Sequence, residues 1–167
     1  GDLTGPMSAQ MVLREPTVDV AVLETARGGM VRSGLGYRHC DIGVVLNIAA
    51  DHLGLRGVDT LEDMARVKRL VVEVARDTAI LNADDEHCLK MAEHTPAKNI
   101  CYVTMTAGNP LVKEHIRVGG RAVVLEQGIN YNLKRSYFGV FAQQYFLKGS
   151  DTPKVFVEAA MGEDLSQ

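Results

Sequence analysis

Five short stretches of this sequence carry side chains that could bind a metal ion or a phosphate. They contain, in chain order, Glu24, Arg27, His52, Lys68 and the Asn-Ala-Asp-Asp segment at residues 82–85. A glutamate with a histidine offers one oxygen and one nitrogen ligand, which suits magnesium or manganese only if phosphate supplies further oxygens. An arginine followed by two glycines suits a loop that binds an anion. The combination predicts a site for a metal-bound phosphate.

Each of these residues also has an ordinary structural interpretation. Glu24 could be a surface or capping residue, and the pair Asp51 and His52 could form a turn. The arginine and its glycines could make only a tight turn, and residues 82–85 could cap a helix. A lysine on an apolar helix face could simply extend its ammonium into solvent. The joint occurrence of the five stretches in this order favours the functional interpretation.

Three of the stretches follow apolar runs that predict buried strands. The runs are residues 18–23, 42–48 and 78–81. Continuous apolar runs suit strands that are covered on both faces, as in parallel sheets. Because ligands gather beyond the carboxyl ends of such strands, the polar side chains that follow the three runs are expected to meet at one edge of the sheet.

Lys68 lies on the strongest predicted helix, residues 60–76. Thr60 can cap its start, and Glu62 and Asp63 place negative charge in its first turn. The charged residues form one stripe along this helix, and Lys68 lies off that stripe, on the apolar face. A lysine in such a place must extend past its neighbours, pair with an acceptor or be chemically modified.

The remaining pattern alternates helices and strands as far as residue 125. It predicts a short helix at 8–14, an irregular glycine-rich loop at 28–36, a helix at 86–94, and strands at 99–106 and 121–125. Alternation of this kind implies an α/β fold with a mainly parallel, Rossmann-like sheet and helices on both faces.

Most of the aromatic residues lie beyond this portion. Residues 126–167 carry short strand patterns at 131–134 and 155–158, which predict a small β-rich C-terminal part. No flexible linker separates the two portions. We therefore expect residues 1–167 to form a single domain, with an α/β portion at 1–125 and a divergent β-rich tail.

Composition argues against several classes of protein. The net charge is −3 and the basic residues do not cluster, which argues against nucleic acid as a partner. No apolar run reaches the roughly 20 residues of a membrane helix, so no membrane partner is expected. Three scattered cysteines, none at zinc-ligand spacing, indicate reduced thiols and a cytoplasmic location. The sequence leaves a homo-oligomer open.

Four motifs resemble the central domain of the Mur-type ATP-dependent ligases, and in particular the Mur-like C-terminal half of the cyanophycin synthetases. The resemblance covers residues 1–125, and the four motifs occur in the same order. They are Glu-Thr-Ala-Arg-Gly-Gly from residue 24, Asn-Ile-Ala-Ala-Asp-His-Leu-Gly from residue 47, Ala-Arg-Val-Lys ending at residue 68, and Leu-Asn-Ala-Asp-Asp from residue 81.

The resemblance implies an enzyme that activates a carboxylate as an acyl phosphate with ATP and then joins it to an amine. It implies Mg²⁺ and ATP as cofactors, with Glu24 as a magnesium ligand and His52 as a ligand of a second metal ion. Lys68 would be the catalytic lysine, which members of the family often carry as a carbamate. The implied nucleotide contacts are Arg27, Asn82 and Asp85.

The cyanophycin synthetases also suggest the substrates. In them, the corresponding half adds arginine to the aspartate side chains of a poly-aspartate backbone. The resemblance therefore implies a nucleotide and an amino acid or peptide as partners of this chain.

One part of such a site is missing from the sequence. No G-x-x-x-x-G-K-[ST] phosphate loop occurs in the 167 residues, and in the family this loop lies upstream. We therefore expect a partial ATP- and magnesium-binding central domain that is inactive alone. The alternative is a non-catalytic binding or assembly module derived from that fold. A third hypothesis is a metal-dependent hydrolase that uses Glu24 and His52, with Asp51 or Asp85 as a further ligand.

Overall fold

A four-stranded sheet forms the centre of the fold. The structure is a computed structural model that describes residues 5–50, 53–54 and 56–124. The strands lie in the order β1-β2-β3-β4, and every neighbouring pair is parallel. The predicted α/β class with a parallel sheet is therefore confirmed. The strands are β1 (Cys40–Val45), β2 (Ala75–Asn82), β3 (Asn99–Thr104) and β4 (Arg121–Val124).

Helices precede or connect the strands. The predicted helices at 8–14, 60–76 and 86–94 are all present, although the second ends earlier because β2 begins at Ala75. None of the helices in the described ranges is long and apolar enough to cross a membrane. The helices are α1 (Pro6–Arg14), α2 (Arg27–Ser33), α3 (Leu61–Glu73), α4 (Glu86–Lys90), which a 3₁₀ turn at Met91–Glu93 extends, and α5 (Pro110–Arg117).

The helix α5 was not predicted, although its start has a clear local cause. The side chain of Asn109 accepts hydrogen bonds from the amides of Leu111 and Val112, and Pro110 stands at the first helical position. Proline lacks a backbone N–H, but an N–H at this position would have no partner within the helix. Val112 is buried, so this short helix is also held by packing.

A capping box fixes the start of α3, the helix that carries Lys68. The hydroxyl of Thr60 accepts from the amide of Asp63 at 3.1 Å, and Oδ2 of Asp63 accepts from the amide of Thr60 at 3.2 Å. A cap of this kind stabilises a helix by about 1 kcal/mol. The buried side chains of Met64 and Val72 then join a core cluster with residues of β1 and β2.

The backbone of α3 lies directly against β1 at Gly43. A Cβ atom built on Gly43 would be 2.6 Å from the carbonyl oxygen of Val71 and 3.1 Å from the Cβ of Ala75. The position is buried. Only glycine allows this approach, so Gly43 sets how closely the helix packs on the strand.

A second core cluster includes residues from all four strands. Ile80, Cys101 and Val123 are buried in it, and Ile42 and Val44 of β1 pack against them. The strand predicted at 121–125 is thereby confirmed as far as Val124, as a member of the parallel sheet. The β-rich tail predicted at 126–167 lies outside the described residues.

The prediction of a strand at residues 18–23 is wrong for the structure described here. The structure assigns no strand to this segment, and in the described part of the chain it has no strand partner. Val18, Val20 and Val22 are 39%, 63% and 53% exposed. An apolar pattern alone does not make a strand, because a strand also needs a neighbouring backbone to pair with.

The prediction of an irregular loop at residues 28–36 is wrong in its first half. Gly28 and Gly29 lie inside α2, where each glycine costs roughly 1 kcal/mol relative to alanine. Met30 of the same helix is buried, and its burial helps to offset that cost. The second half is a loop, and Gly34 and Gly36 have φ values of 73° and 80°.

The three cysteines carry free thiols of low reactivity. Burial raises the pKa of Cys88 to about 12, with a further contribution from nearby Asp85, and burial raises the pKa of Cys101 and of Cys40 to about 11. At pH 8 the thiolate fraction of Cys88 should thus be about a thousandfold below that of an ordinary cysteine. We expect maleimide to label Cys88 in urea but not in the native protein, as read by mass spectrometry. Rapid native labelling would contradict the buried position.

Candidate functional site

The loop after β2 hydrogen bonds to the backbone that follows β1. Nδ2 of Asn82 donates to the carbonyl oxygen of Leu46 at 2.9 Å, and Oδ2 of Asp85 accepts from the amide of Ile48 at 2.8 Å. Oδ1 of Asp85 accepts from the amide of Cys88 at 3.0 Å and so caps α4. One short loop therefore fixes two points of the segment that leads toward His52.

Lys68 holds the residue between those two points. Its Nζ donates to the main-chain oxygen of Asn47 at 3.1 Å and to the side-chain oxygen of Asn47 at 3.4 Å. Lys68 is half-buried. Of the three outcomes expected for a lysine on this helix face, the structure shows pairing with acceptors. Residues 46–48 are thus fixed by three of the predicted site residues.

Glu24 and Lys68 line the same cleft. We call it the edge cleft: a space of about 430 Å³ bounded by residues 18–25, by β1 and the residues that follow it, and by part of α3. Glu24 is exposed and directly follows residues 18–23, and Asn47 lies in the lining with Lys68. The structure therefore brings together the predicted acid and the predicted lysine, which are 44 residues apart in the chain.

The other predicted site residues are placed differently. Arg27 is the first residue of α2 and is half-buried. Asn82 and Asp85 do not line the edge cleft; Asn82 hydrogen bonds to the backbone of Leu46, which does line it, and Asp85 hydrogen bonds to that of Ile48. His52 and Asp51 lie outside the described residues, so the predicted ligand of a second metal ion has no observed position.

The described residues fit only a metal ion that takes most of its ligands from elsewhere. Among them, no three His, Cys, Asp or Glu side chains come close enough to hold a metal ion. Magnesium is usually bound by one or two carboxylates together with phosphate oxygens and water. Glu24, exposed in a cleft that Lys68 also lines, suits that arrangement. In the hydrolase hypothesis Asp85 is a candidate metal ligand. Both of its carboxylate oxygens, however, already accept hydrogen bonds from backbone amides.

Asn47 and Asp84 are structurally important residues to which the sequence assigned no role. Asn47 is the first residue of the second motif, but its hydrogen bonds with Lys68 depend on how α3 packs. Asp84 joins β2 to the loop after β3, because its carboxylate accepts from the hydroxyl of Thr104, the amide of Met105 and the side-chain amide of Asn109. Two adjacent aspartates after a strand were the only signal for it.

The bonds of Asp84 predict a dependence of stability on pH. Burial raises the pKa of Asp84, but its hydrogen bonds, led by that from Thr104, outweigh burial and lower it below the usual value. A group with a lowered pKa in the folded state stabilises the fold above the unfolded pKa of about 4, and that contribution is lost as the pH falls through the folded pKa.

We therefore expect Asp84→Asn to reduce stability at pH 7 but to change it little near pH 2. Because Asp84 is exposed and screened by solvent, the loss should be only about 1 kcal/mol. Urea unfolding of both proteins across this pH range measures the difference. A difference that stays constant with pH would contradict the role of the ionised carboxylate.

Comparison with known proteins gives this arrangement a context. Residues 4–144 match the family model of the Mur ligase middle domain. The chain belongs to the Mur ligase middle-domain family. The resemblance inferred from the four motifs is thereby confirmed.

Curated relatives of this Mur ligase middle domain include several cyanophycin synthetases. The one from Synechocystis sp. is 54% identical over 130 residues, which is 77% of this chain and 15% of that protein. The one from Geminocystis herdmanii is 47% identical over 150 residues, 89% of this chain and 16% of that protein. UDP-N-acetylmuramoylalanine–D-glutamate ligase from Chelativorans sp. is 45% identical over 51 residues, 30% of this chain and 10% of that protein. The chain thus spans about one-sixth of the length of these synthetases.

Proposed function

We propose that this Mur ligase middle domain contributes the metal and lysine part of the site in an ATP-dependent, amide-bond-forming ligase. The proposed reaction resembles that of cyanophycin synthetase, in which arginine is added to poly-aspartate through an acyl phosphate. The observation that supports this most is the placement of Glu24 and Lys68 in one cleft, with Lys68 held by Asn47. The likeness to cyanophycin synthetases over most of the chain supports the substrate class.

In this proposal, Glu24 is a ligand of Mg²⁺ and His52 is a ligand of a second metal ion, each together with phosphate oxygens. The metal ions would supply positive charge that offsets the charge developing on the transferred phosphoryl group. Glu24 needs no burial for this role, because phosphate and water complete the ligand set. Its exposed position at the end of residues 18–23 leaves the carboxylate accessible to such a ligand.

Lys68 has two forms that are compatible with its contacts. As an ammonium it has three N–H groups, of which the two bonds to Asn47 use two, so the third can reach a phosphate oxygen. As a carbamate it retains one N–H, which is enough for the 3.1 Å bond to the main-chain oxygen of Asn47. In both forms Asn47 orients the side chain toward the cleft.

The proposed nucleotide contacts follow from the same loop. The bond to Leu46 uses one of the two N–H groups of Asn82, and the second is the proposed donor to adenine. Arg27 at the start of α2 is a proposed phosphate contact. Asp85 is also a proposed nucleotide contact, although both of its carboxylate oxygens accept hydrogen bonds from backbone amides. The three free cysteines support a reducing location, which we propose is the cytoplasm.

A chimeric synthetase tests this function. The region of the Synechocystis cyanophycin synthetase that matches this chain is replaced by this chain, and ATP-dependent incorporation of arginine is measured. We expect the chimera to incorporate arginine and a Glu24→Ala, His52→Ala double variant to lose the activity. Glu62→Ala, which removes an exposed carboxylate on α3, is the matched control and should retain it. A folded chimera without incorporation contradicts the function, and a fully active double variant contradicts the assigned roles.

One observation favours the alternative of a non-catalytic binding or assembly module. Asn82, Asp85 and Lys68 each have a structural task in fixing residues 46–48, which they would keep without any chemistry. Titration calorimetry of the chain with magnesium, ATP and arginine separates the two proposals. Binding of Mg-ATP supports the ligase, whereas a folded chain that binds none of the three supports the module.

A further inference from the structure

The side-chain amide of Asn82 is fixed in one orientation by two partners of opposite kind. Its Nδ2 donates to the carbonyl oxygen of Leu46 at 2.9 Å, and its Oδ1 accepts from the backbone amide of Asp84 at 2.9 Å. A carbonyl can only accept and a backbone amide can only donate, so the two partners determine which end of the amide is the oxygen. An amide turned the other way would face both partners with the wrong group.

Asp84 provides one of those partners and is itself held by the neighbouring strand. Its carboxylate accepts from the hydroxyl of Thr104 and the amide of Met105, each at 2.7 Å, and from the side-chain amide of Asn109 at 3.2 Å. Thr104 is only 1% exposed at the end of β3, and Asn109 caps α5. The carboxylate therefore ties the backbone that orients Asn82 to the end of β3.

The fixed amide presents a defined pattern to a ligand. After its two bonds, Asn82 keeps one N–H and one lone pair on its oxygen. Adenine carries an amino group at C6 beside ring nitrogens that accept, and an asparagine can pair with both kinds of group at once. Hypoxanthine carries an oxygen in place of that amino group, so a donor is exchanged for an acceptor. An amide locked in one orientation should therefore favour the 6-amino purine.

We propose that Asp84 is a positioning residue that sets the preference of this site for adenine over 6-oxo purines, because it holds the amide of Asn82 in one orientation. The inference rests on the proposed function, in which Asn82 contacts the base. Without the carboxylate, the backbone amide of Asp84 can turn away from Asn82. Rotation of Asn82 then breaks one hydrogen bond instead of two, so its amide can adapt to either base.

Removal of this carboxylate should leave the strands in register. The backbone amide of Ala83 donates to the carbonyl oxygen of Val103 at 2.8 Å, and Asn82 pairs with Val103 in the parallel ladder. Neither contact uses the side chain of Asp84. The variant Asp84→Ala is therefore expected to fold, with its effect confined to the loop that follows β2.

Thr95→Ala is the matched control for a loss of stability alone. The hydroxyl of Thr95 donates to the carbonyl oxygen of Val72 at 2.6 Å. Val72 precedes the start of β2, whereas Asn82 is the last residue of that strand. The control thus removes a hydrogen bond between a side chain and its partner at the end of β2 away from the base contact.

Nucleotide selectivity of the chimeric synthetase tests the inference. Arginine incorporation is measured with ATP and with inosine triphosphate, and the ratio of the two kcat/KM values is compared. We expect Asp84→Ala to raise KM for ATP, to leave kcat at saturating ATP near that of the control, and to lower the ratio by at least about fivefold. Asp84→Asn, whose one oxygen can still accept from Thr104, should lie between. Thr95→Ala should keep the wild-type ratio.

Two results would overturn the inference and leave the proposed function intact. One is an active chimera whose Asp84→Ala variant keeps the wild-type ratio. The other is an active chimera in which Asn82→Ala also keeps it, since base recognition then lies elsewhere.

A folded chimera that incorporates no arginine contradicts the proposed function instead. The role of Asp84 is then measured by NMR in the isolated chain. The side-chain amide protons of Asn82 should exchange with solvent at least about tenfold faster in Asp84→Ala than in Thr95→Ala. Equal exchange rates in the two variants would overturn the positioning of Asn82 by Asp84.

Discussion

Gly43→Val is expected to lower the free energy of unfolding by about 2–3 kcal/mol, the upper range for overpacking a core. Even the first carbon of the new side chain would lie 2.6 Å from the carbonyl oxygen of Val71, which belongs to the backbone of α3. A helix backbone cannot move aside as the end of a flexible side chain can. The helix must therefore shift away from β1, and its contacts along the strand loosen together.

Two alanine variants test whether close packing at Gly43 causes the loss of stability. Gly43→Ala adds only the Cβ and should lie between the wild type and the valine variant. Gly28→Ala is the matched control, because a Cβ there meets nothing within 4 Å and the residue lies inside α2. It should stabilise the protein by roughly 0.5–1 kcal/mol through helix propensity. Urea unfolding followed by circular dichroism measures all three. Equal stability of Gly43→Val and the wild type would contradict the close packing.

Asp85→Ala is expected to lower the free energy of unfolding by about 2–4 kcal/mol, because it leaves two buried amides without their acceptor. The amides belong to Ile48 and Cys88, which are 8% and 0% exposed. The Cys88 bond also caps α4, and loss of a cap alone costs about 1 kcal/mol. Urea unfolding at pH 7 gives the total. A loss below about 1 kcal/mol would mean that water replaces the carboxylate at both amides.

Asp85→Asn separates the two tasks of this carboxylate. Asparagine caps helices as well as aspartate does, so its oxygen can keep the bond to the amide of Cys88. Its NH₂ group then faces the amide of Ile48, and two donors cannot bond to each other. We expect hydrogen exchange at Ile48 to speed up while α4 stays protected. If hydrogen exchange speeds up equally at Ile48 and in α4, the bond to the amide of Ile48 and the cap of α4 are not separable.

The sequence correctly predicted those helices and strands whose positions depend on residues close to one another in the chain. The capping box at Thr60 and Asp63 sets the start of α3, and the apolar runs at 42–48 and 78–81 correspond to strands of the sheet. The failure at residues 18–23 has a physical reason, because the pattern shows that a segment could be a strand but not that a partner is present. Helix α2 was missed because its two glycines oppose helix formation locally and tertiary packing overrides them.

The site could be predicted as a set of residues but not as an arrangement. The order of motifs identified Glu24 and Lys68, and the structure places both in one cleft. The role of Asn47 as the acceptor for Lys68 could not be predicted, because it depends on the packing of α3 beside β1. The bonds of Asn82 and Asp85 to Leu46 and Ile48 likewise depend on the register between β1 and β2, which pairs Val45 with Leu81.

The contact between Asn82 and the carbonyl of Leu46 has a thermodynamic consequence. That carbonyl adjoins Asn47, whose own oxygens hold Lys68. A ligand that competes for the amide of Asn82 therefore changes the free energy of orienting the lysine ammonium. Linkage requires the converse as well, so a change in the charge of Lys68 alters the affinity at Asn82 by the same factor. If the proposed function is correct, two neighbouring strands would couple nucleotide recognition at Asn82 to the charge of Lys68.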